Sequence, residues 1–148
     1  MSEPVRRLLF FILLLGMAGT LVELVLLSHD EDINQWIPLV LLVLGIVAIG
    51  WAAVRPSPSV IRLLQMVMAL FILAGMVGVV LHFQANMEFQ TELDPSASGW
   101  PLWMKAIRAK APPALAPGVM VQLGLLGLLY TYKHPMLAEE PFTERHGG

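Results

Sequence analysis

Apolar residues along this chain fall into four long runs separated by short polar stretches, and the length of each run is what first assigns structure. A hydrocarbon core takes roughly 20 apolar residues at helical rise. The runs therefore predict membrane spans over residues 8–27, 37–54, 63–83 and 114–132. The fourth is the shortest, and Pro117 falls in its first turn, where a missing N–H costs little. Arg6 and Arg7 precede the first run as they would in a signal peptide. That run is about twice the length of such a core and lacks an Ala-x-Ala cleavage pattern, which predicts a retained anchor.

The runs also share punctuation. Gly16-Met17-Ala18-Gly19 in the first reappears as Gly75-Met76-Val77-Gly78 in the third, and Pro38, Val40, Leu44, Gly45 and Pro56 return as Pro117, Val119, Leu123, Gly124 and Pro135. The pattern predicts a tandem repeat of two helical hairpins, hence an all-α, four-transmembrane-helix bundle. The second hairpin holds an insertion. Over residues 99–111, helical spacing lines Trp100, Trp103, Met104, Ile107 and Ala111 along one face and puts Lys105 and Arg108 on another. A short helix with an aromatic and a basic face suits the membrane interface, with Ser98 as its N-cap. It is a plain amphipathic connector or a docking surface on the outer side. The polar tail, residues 136–148, is expected to be loosely ordered.

Composition excludes several classes. The chain is 57% hydrophobic and 14% charged with a mean hydropathy of +0.71, whereas soluble domains carry about 25% charged residues. With no cysteine, neither a disulfide framework nor a thiolate metal site is possible. A net charge of −2 gives no reason to expect a nucleic-acid partner. No Gly-rich phosphate loop, nucleophile elbow or zinc-protease helix is present, so the chain reads as a non-enzyme without a cofactor.

Charge placement predicts orientation. Arg6, Arg7, Arg55, Arg62, Lys133 and Arg145 would share one side, against Lys105, Arg108 and Lys110 on the other. Positive residues stay cytoplasmic in short loops, which predicts a multi-pass protein of the plasma (inner) membrane with both termini cytoplasmic.

Small residues mark helix-packing faces, because close backbone approach drives association in lipid. Gly16 and Gly19 lead to Glu23 on the first span, Gly75 and Gly78 lead to His82 on the third, and Gly118, Gln122, Gly124 and Gly127 lie on the fourth. The repeat makes Glu23 and His82 equivalent, and a carboxylate inside a span needs a partner. His82 is the first candidate, with Gln84 and Gln122 behind it. Three roles remain open for that intramembrane polar pair. It could fix helix register, or exchange a proton or cation in a small oligomeric transporter or channel. It could also join His29, Asp30, Asp32 and Glu88 in a metal or haem site. The preferred reading is an accessory or structural subunit of a larger membrane complex. Its partners would be the lipid bilayer and other membrane subunits, or further copies of itself.

Overall fold

A backbone in lipid must satisfy its own hydrogen bonds, and a helix does so within one segment. The computed structural model describes residues 1–28, 33–109 and 115–138. Among the described residues it contains five α-helices: α1 (Glu3–Leu26), α2 (Ile33–Val54), α3 (Pro58–Leu93), α4 (Gly99–Ile107) and α5 (Leu115–Thr131). A 3-10 turn, Pro135–Leu137, follows α5. Helices α1, α2 and α3 are long and apolar enough to cross a membrane. Apolar α5 has 17 residues, which at helical rise reach about 25 Å.

Local chemistry sets the helix starts. Pro4 and Pro58 occupy the first turns of α1 and α3, where proline's fixed φ suits a helix and its missing N–H is no loss. Ser57 caps α3, its hydroxyl accepting the Val60 N–H at 3.3 Å.

Helix α3 departs from the predicted span. It has 36 residues and continues past residue 83, because most of the stretch from Gln84 to Leu93 consists of good helix formers and it contains no glycine or proline. Asp94 then leaves the helical region at φ −142°. The ten residues after Phe83 add about 15 Å of helix beyond the predicted span. Helix α4 is shorter than residues 99–111: it ends at Ile107 with Arg108 as its C-cap. Lys110 and Ala111 lie outside the described residues. Met136 and Leu137, expected in a loose tail, instead belong to the 3-10 turn, and Leu137 packs against the core.

The long helices close into a ring in which α1 packs on α2 and α5, and α3 on α2 and α5. Inside it Leu13, Met17, Leu42, Ile49, Leu64, Met68 and Phe71 are wholly buried. Glycines set the spacing between neighbours. A Cβ at Gly75 would lie 2.7 Å from the Pro117 carbonyl oxygen, and one at Gly124 would lie 2.6 Å from that of Met68, so α3 and α5 touch through backbone. Gly78 meets the Pro117 ring, and Gly16 meets Leu123. Gly19 does not pack as predicted: nothing lies within 4 Å of its Cβ position.

The helix order around the ring is that of any antiparallel bundle with short connections and does not test the repeat, and the glycines used to infer the repeat make unlike contacts. Gly75 faces the partner helix of its own hairpin, whereas Gly16 faces α5, in the other hairpin. Shared punctuation here reflects a common need for thin helix surfaces rather than equivalent packing.

Candidate functional site

Each helix leaves its last four carbonyls without an intrahelical donor, and at the end of α5 every one of them is satisfied. Thr131 Oγ1 donates to the Leu128 carbonyl at 2.9 Å. The Tyr132 and His134 N–H groups donate to the carbonyls of Leu129 and Thr131, each at 3.1 Å. The remaining carbonyl, that of Tyr130, accepts Arg6 Nη1 from α1 at 3.4 Å. A cation at a helix C-terminus also meets the negative end of the helix dipole. Gln65 on α3 completes the cluster, its amide donating to Thr131 Oγ1 at 3.3 Å.

Arg6, Thr131 and His134 are the buried polar or charged residues of the described structure, and all sit at this end of the bundle. The His134 ring lies near that of Tyr130 and its Nδ1 accepts the Met136 N–H at 3.2 Å, which requires that nitrogen to be unprotonated. Burial holds the His134 pKa below its ordinary value, and the Arg6 charge pushes the same way. The arrangement joins the first helix, the third and the end of the fifth. Its chemistry is that of a cap, and among the described residues no fully buried side-chain nitrogen or oxygen is left without a partner.

At the opposite end, α4 folds against the far part of α3. Asn86 donates to the Ala106 carbonyl at 3.2 Å, the Phe83 and Trp103 rings lie 5.1 Å apart, and Lys105 Nζ reaches Asp94 Oδ2 at 2.9 Å. The Asp94 carboxylate also accepts from the Ser96 hydroxyl and N–H. These bonds from Ser96, then Lys105, hold its pKa at about 2. Gly99 opens α4 at φ +59°, in the left-handed region that glycine enters without a Cβ penalty. Ser98 stands at the N-cap position but its side chain makes no capping bond.

Leu102 and Ala106 face α3, so the buried edge of α4 is small and aliphatic rather than aromatic. Trp100 is 71% exposed, and Trp103, Lys105, Ile107 and Arg108 are exposed as well, with Met104 half-buried. The aromatic face predicted for this helix is thus divided: Trp100 is turned outward, whereas Trp103 rests one side of its ring on Phe83 of α3 and leaves the rest exposed.

The other predicted site residues are not brought together. Glu23 is exposed in the last turn of α1 and forms no ion pair among the described residues, where the ion pairs are Arg7 with Glu3 and Lys105 with Asp94. His82 is half-buried on α3, and the structure contains no Glu23–His82 salt bridge. The reason is geometric: α1 packs on α2 and α5, not along α3. His29, Asp30 and Asp32 lie outside the described residues, and Glu88 is exposed on α3. Among the described residues no three His, Cys, Asp or Glu side chains cluster as metal ligands would.

Gln122 and Gly118 point away from the bundle, whereas Gly124 and Gly127 face α3, so the predicted small-residue stripe of this helix divides between two faces. The Arg6 cap escapes a sequence reading because its partner is a backbone carbonyl 124 positions away. The only signal for it is an arginine placed within an otherwise apolar helix face. No family model matches the chain, and neither a curated protein nor a solved structure is similar to it.

Proposed function

We propose that this chain is an accessory or structural subunit of a larger assembly in the plasma (inner) membrane. In this reading α1, α2, the first part of α3, and α5 are its four spans. The observation that carries it is the arm formed by α3 and α4. Residues beyond the apolar part of α3 stay helical, α4 braces them, and Trp100, Ile107, Phe89 and Leu93 are left exposed on the result. A rigid projection with apolar and aromatic side chains on its surface suits contact with another protein better than it suits a solvated loop.

The interior supports the same conclusion. Side chains wholly buried midway along the bundle are apolar, and the buried polar groups are confined to the capped end of α5, which leaves no polar route through the middle among the described residues. Arg6, Arg7, Arg55, Arg62 and Lys133 belong to helix ends and connections on the Arg6 side. By the distribution of positive charge that side is cytoplasmic and the α3–α4 arm lies outside.

Purification of the tagged chain from native membranes in mild detergent tests the proposal. A discrete copurifying membrane protein is expected, and it should be lost from Trp100→Ala/Ile107→Ala, which alters only exposed side chains. A chain that emerges alone from every extract refutes it.

A further inference from the structure

The outward face of α5 carries a polar side chain where lipid would be expected to meet only hydrocarbon. In steps of three and four, Leu115, Gly118, Gln122, Leu125 and Leu129 form one stripe, opposite the buried Met120, Leu123, Gly127 and Tyr130. Gln122 lies near the middle of that stripe and is exposed. Its depth is set by its neighbours. Val121 comes against Gly75, and Gly124 against Met68 and Ile72, so Gln122 is level with the centre of the span predicted over residues 63–83. The amide makes no hydrogen bond among the described residues. The exposed carboxylate of α1, Glu23, is different, because it lies in the last helical turn, from which it can reach the interface.

We propose that this face of α5 is where two copies of the chain associate in the membrane, with Gln122 of each copy bonded to Gln122 of the other. The proposal rests on the reading of α5 as a membrane span. An unpaired amide is strongly disfavoured in hydrocarbon, so the face requires a polar occupant at mid-depth. A carboxamide has both an acceptor oxygen and donor N–H groups. Two of them related by a two-fold axis exchange a reciprocal pair of hydrogen bonds, as an isologous interface demands.

Depth selects a second copy over an unlike partner. Every copy inserts with the same orientation, so Gln122 always finds Gln122 at its own level. Gly118, one turn away on the same stripe, supplies the close approach: nothing lies within 4 Å of its Cβ position. It is a thin point on the helix surface that no neighbour among the described residues uses.

The chain has no cysteine, so single replacements report contacts directly. In native membranes under oxidation, Leu125→Cys and Leu129→Cys are expected to form covalent homodimers, and Leu73→Cys on the outward face of α3 is not. In lipid vesicles, single-molecule photobleaching should give a dimer dissociation constant raised about tenfold by Gln122→Leu and largely restored by Gln122→Asn.

An unchanged constant in Gln122→Leu, equal cross-linking from Leu73→Cys, or cross-links only to a different protein would each overturn the proposal. A membrane-impermeant maleimide separates the two ways of failing. Labelling of Leu125→Cys from water refutes the span and the dimer together, whereas protection without cross-linking refutes self-association alone.

Discussion

Adding one methyl group at Gly75 should force α3 and α5 apart, whereas the same change at Gly19 should cost nothing. At Gly75 the new Cβ would stand 2.7 Å from the Pro117 carbonyl oxygen and 2.9 Å from the Val121 nitrogen. Both are backbone atoms and cannot rotate away. Ordinary contact begins near 3.4 Å, so the helices must part by roughly 0.7 Å along this seam. Overpacking of this kind costs about 1–3 kcal/mol. The higher helix propensity of alanine returns at most about 1 kcal/mol. With the full propensity gain subtracted, Gly75→Ala is therefore expected to destabilise the protein by up to about 2 kcal/mol.

Gly19 provides the matched control. It is also helical, but open space lies in front of it, so only the propensity gain remains and Gly19→Ala should be neutral or slightly stabilising. Reversible unfolding in mixed micelles, followed by circular dichroism, compares the two directly. Equal effects at both positions, or a stabilised Gly75→Ala, would refute the argument that backbone contact between α3 and α5 sets the packing of the bundle.

Three further outcomes follow from the ends of the helices. Arg6→Met keeps an apolar stem in place but leaves the Tyr130 carbonyl without its donor, so it should cost about 1–2 kcal/mol in the same unfolding assay. His134 has a depressed pKa, so the folded state favours its neutral form. The stability this contributes is complete above the ordinary value of 6.5 and is lost as the pH falls from there through the folded-state pKa. The loss should appear as a smaller protection factor at the Met136 amide on acidification, once the intrinsic pH dependence of exchange is divided out, and His134→Asn should abolish that change. The Asp94 carboxylate should titrate near 2 by carbon NMR. Because its folded pKa is lowered, its contribution is present above 3.8 and lost toward pH 2; Ser96→Ala should raise the pKa more than Lys105→Met does.

The long helices are legible in the sequence because run length and hydropathy alone define them. The continuation of α3 to Leu93 is legible as well, but through a different signal. Residues 84–93 are too polar for a span, yet no breaker separates Gly78 from Pro95, so propensity rather than hydropathy carries the helix onward. Which way a residue points is harder to read. Gly118, Gln122, Gly124 and Gly127 look like one stripe until helical angle is applied, which splits them between an inner and an outer face.

Pairings between helices are scarcely legible. Glu23 and His82 are opposite in charge type and aligned by the expected repeat, but contact depends on which helices are neighbours, and the ring makes α2 and α5 the neighbours of α1. Likewise nothing local to Arg6 or Tyr130 marks them as partners.

The bond from Arg6 to the end of α5 also imposes an order in time. Arg6 leaves the ribosome 124 residues ahead of Tyr130. Until α5 arrives, the guanidinium has no helix terminus to cap and the ring stands open on one side. The ring therefore closes only once α5 has been made, with a bond that ties α1 to a helix synthesised well after it. A chain interrupted before α5 would present an uncapped arginine and the bare glycine faces of α1 and α3, features that a quality-control protease could distinguish from the finished bundle.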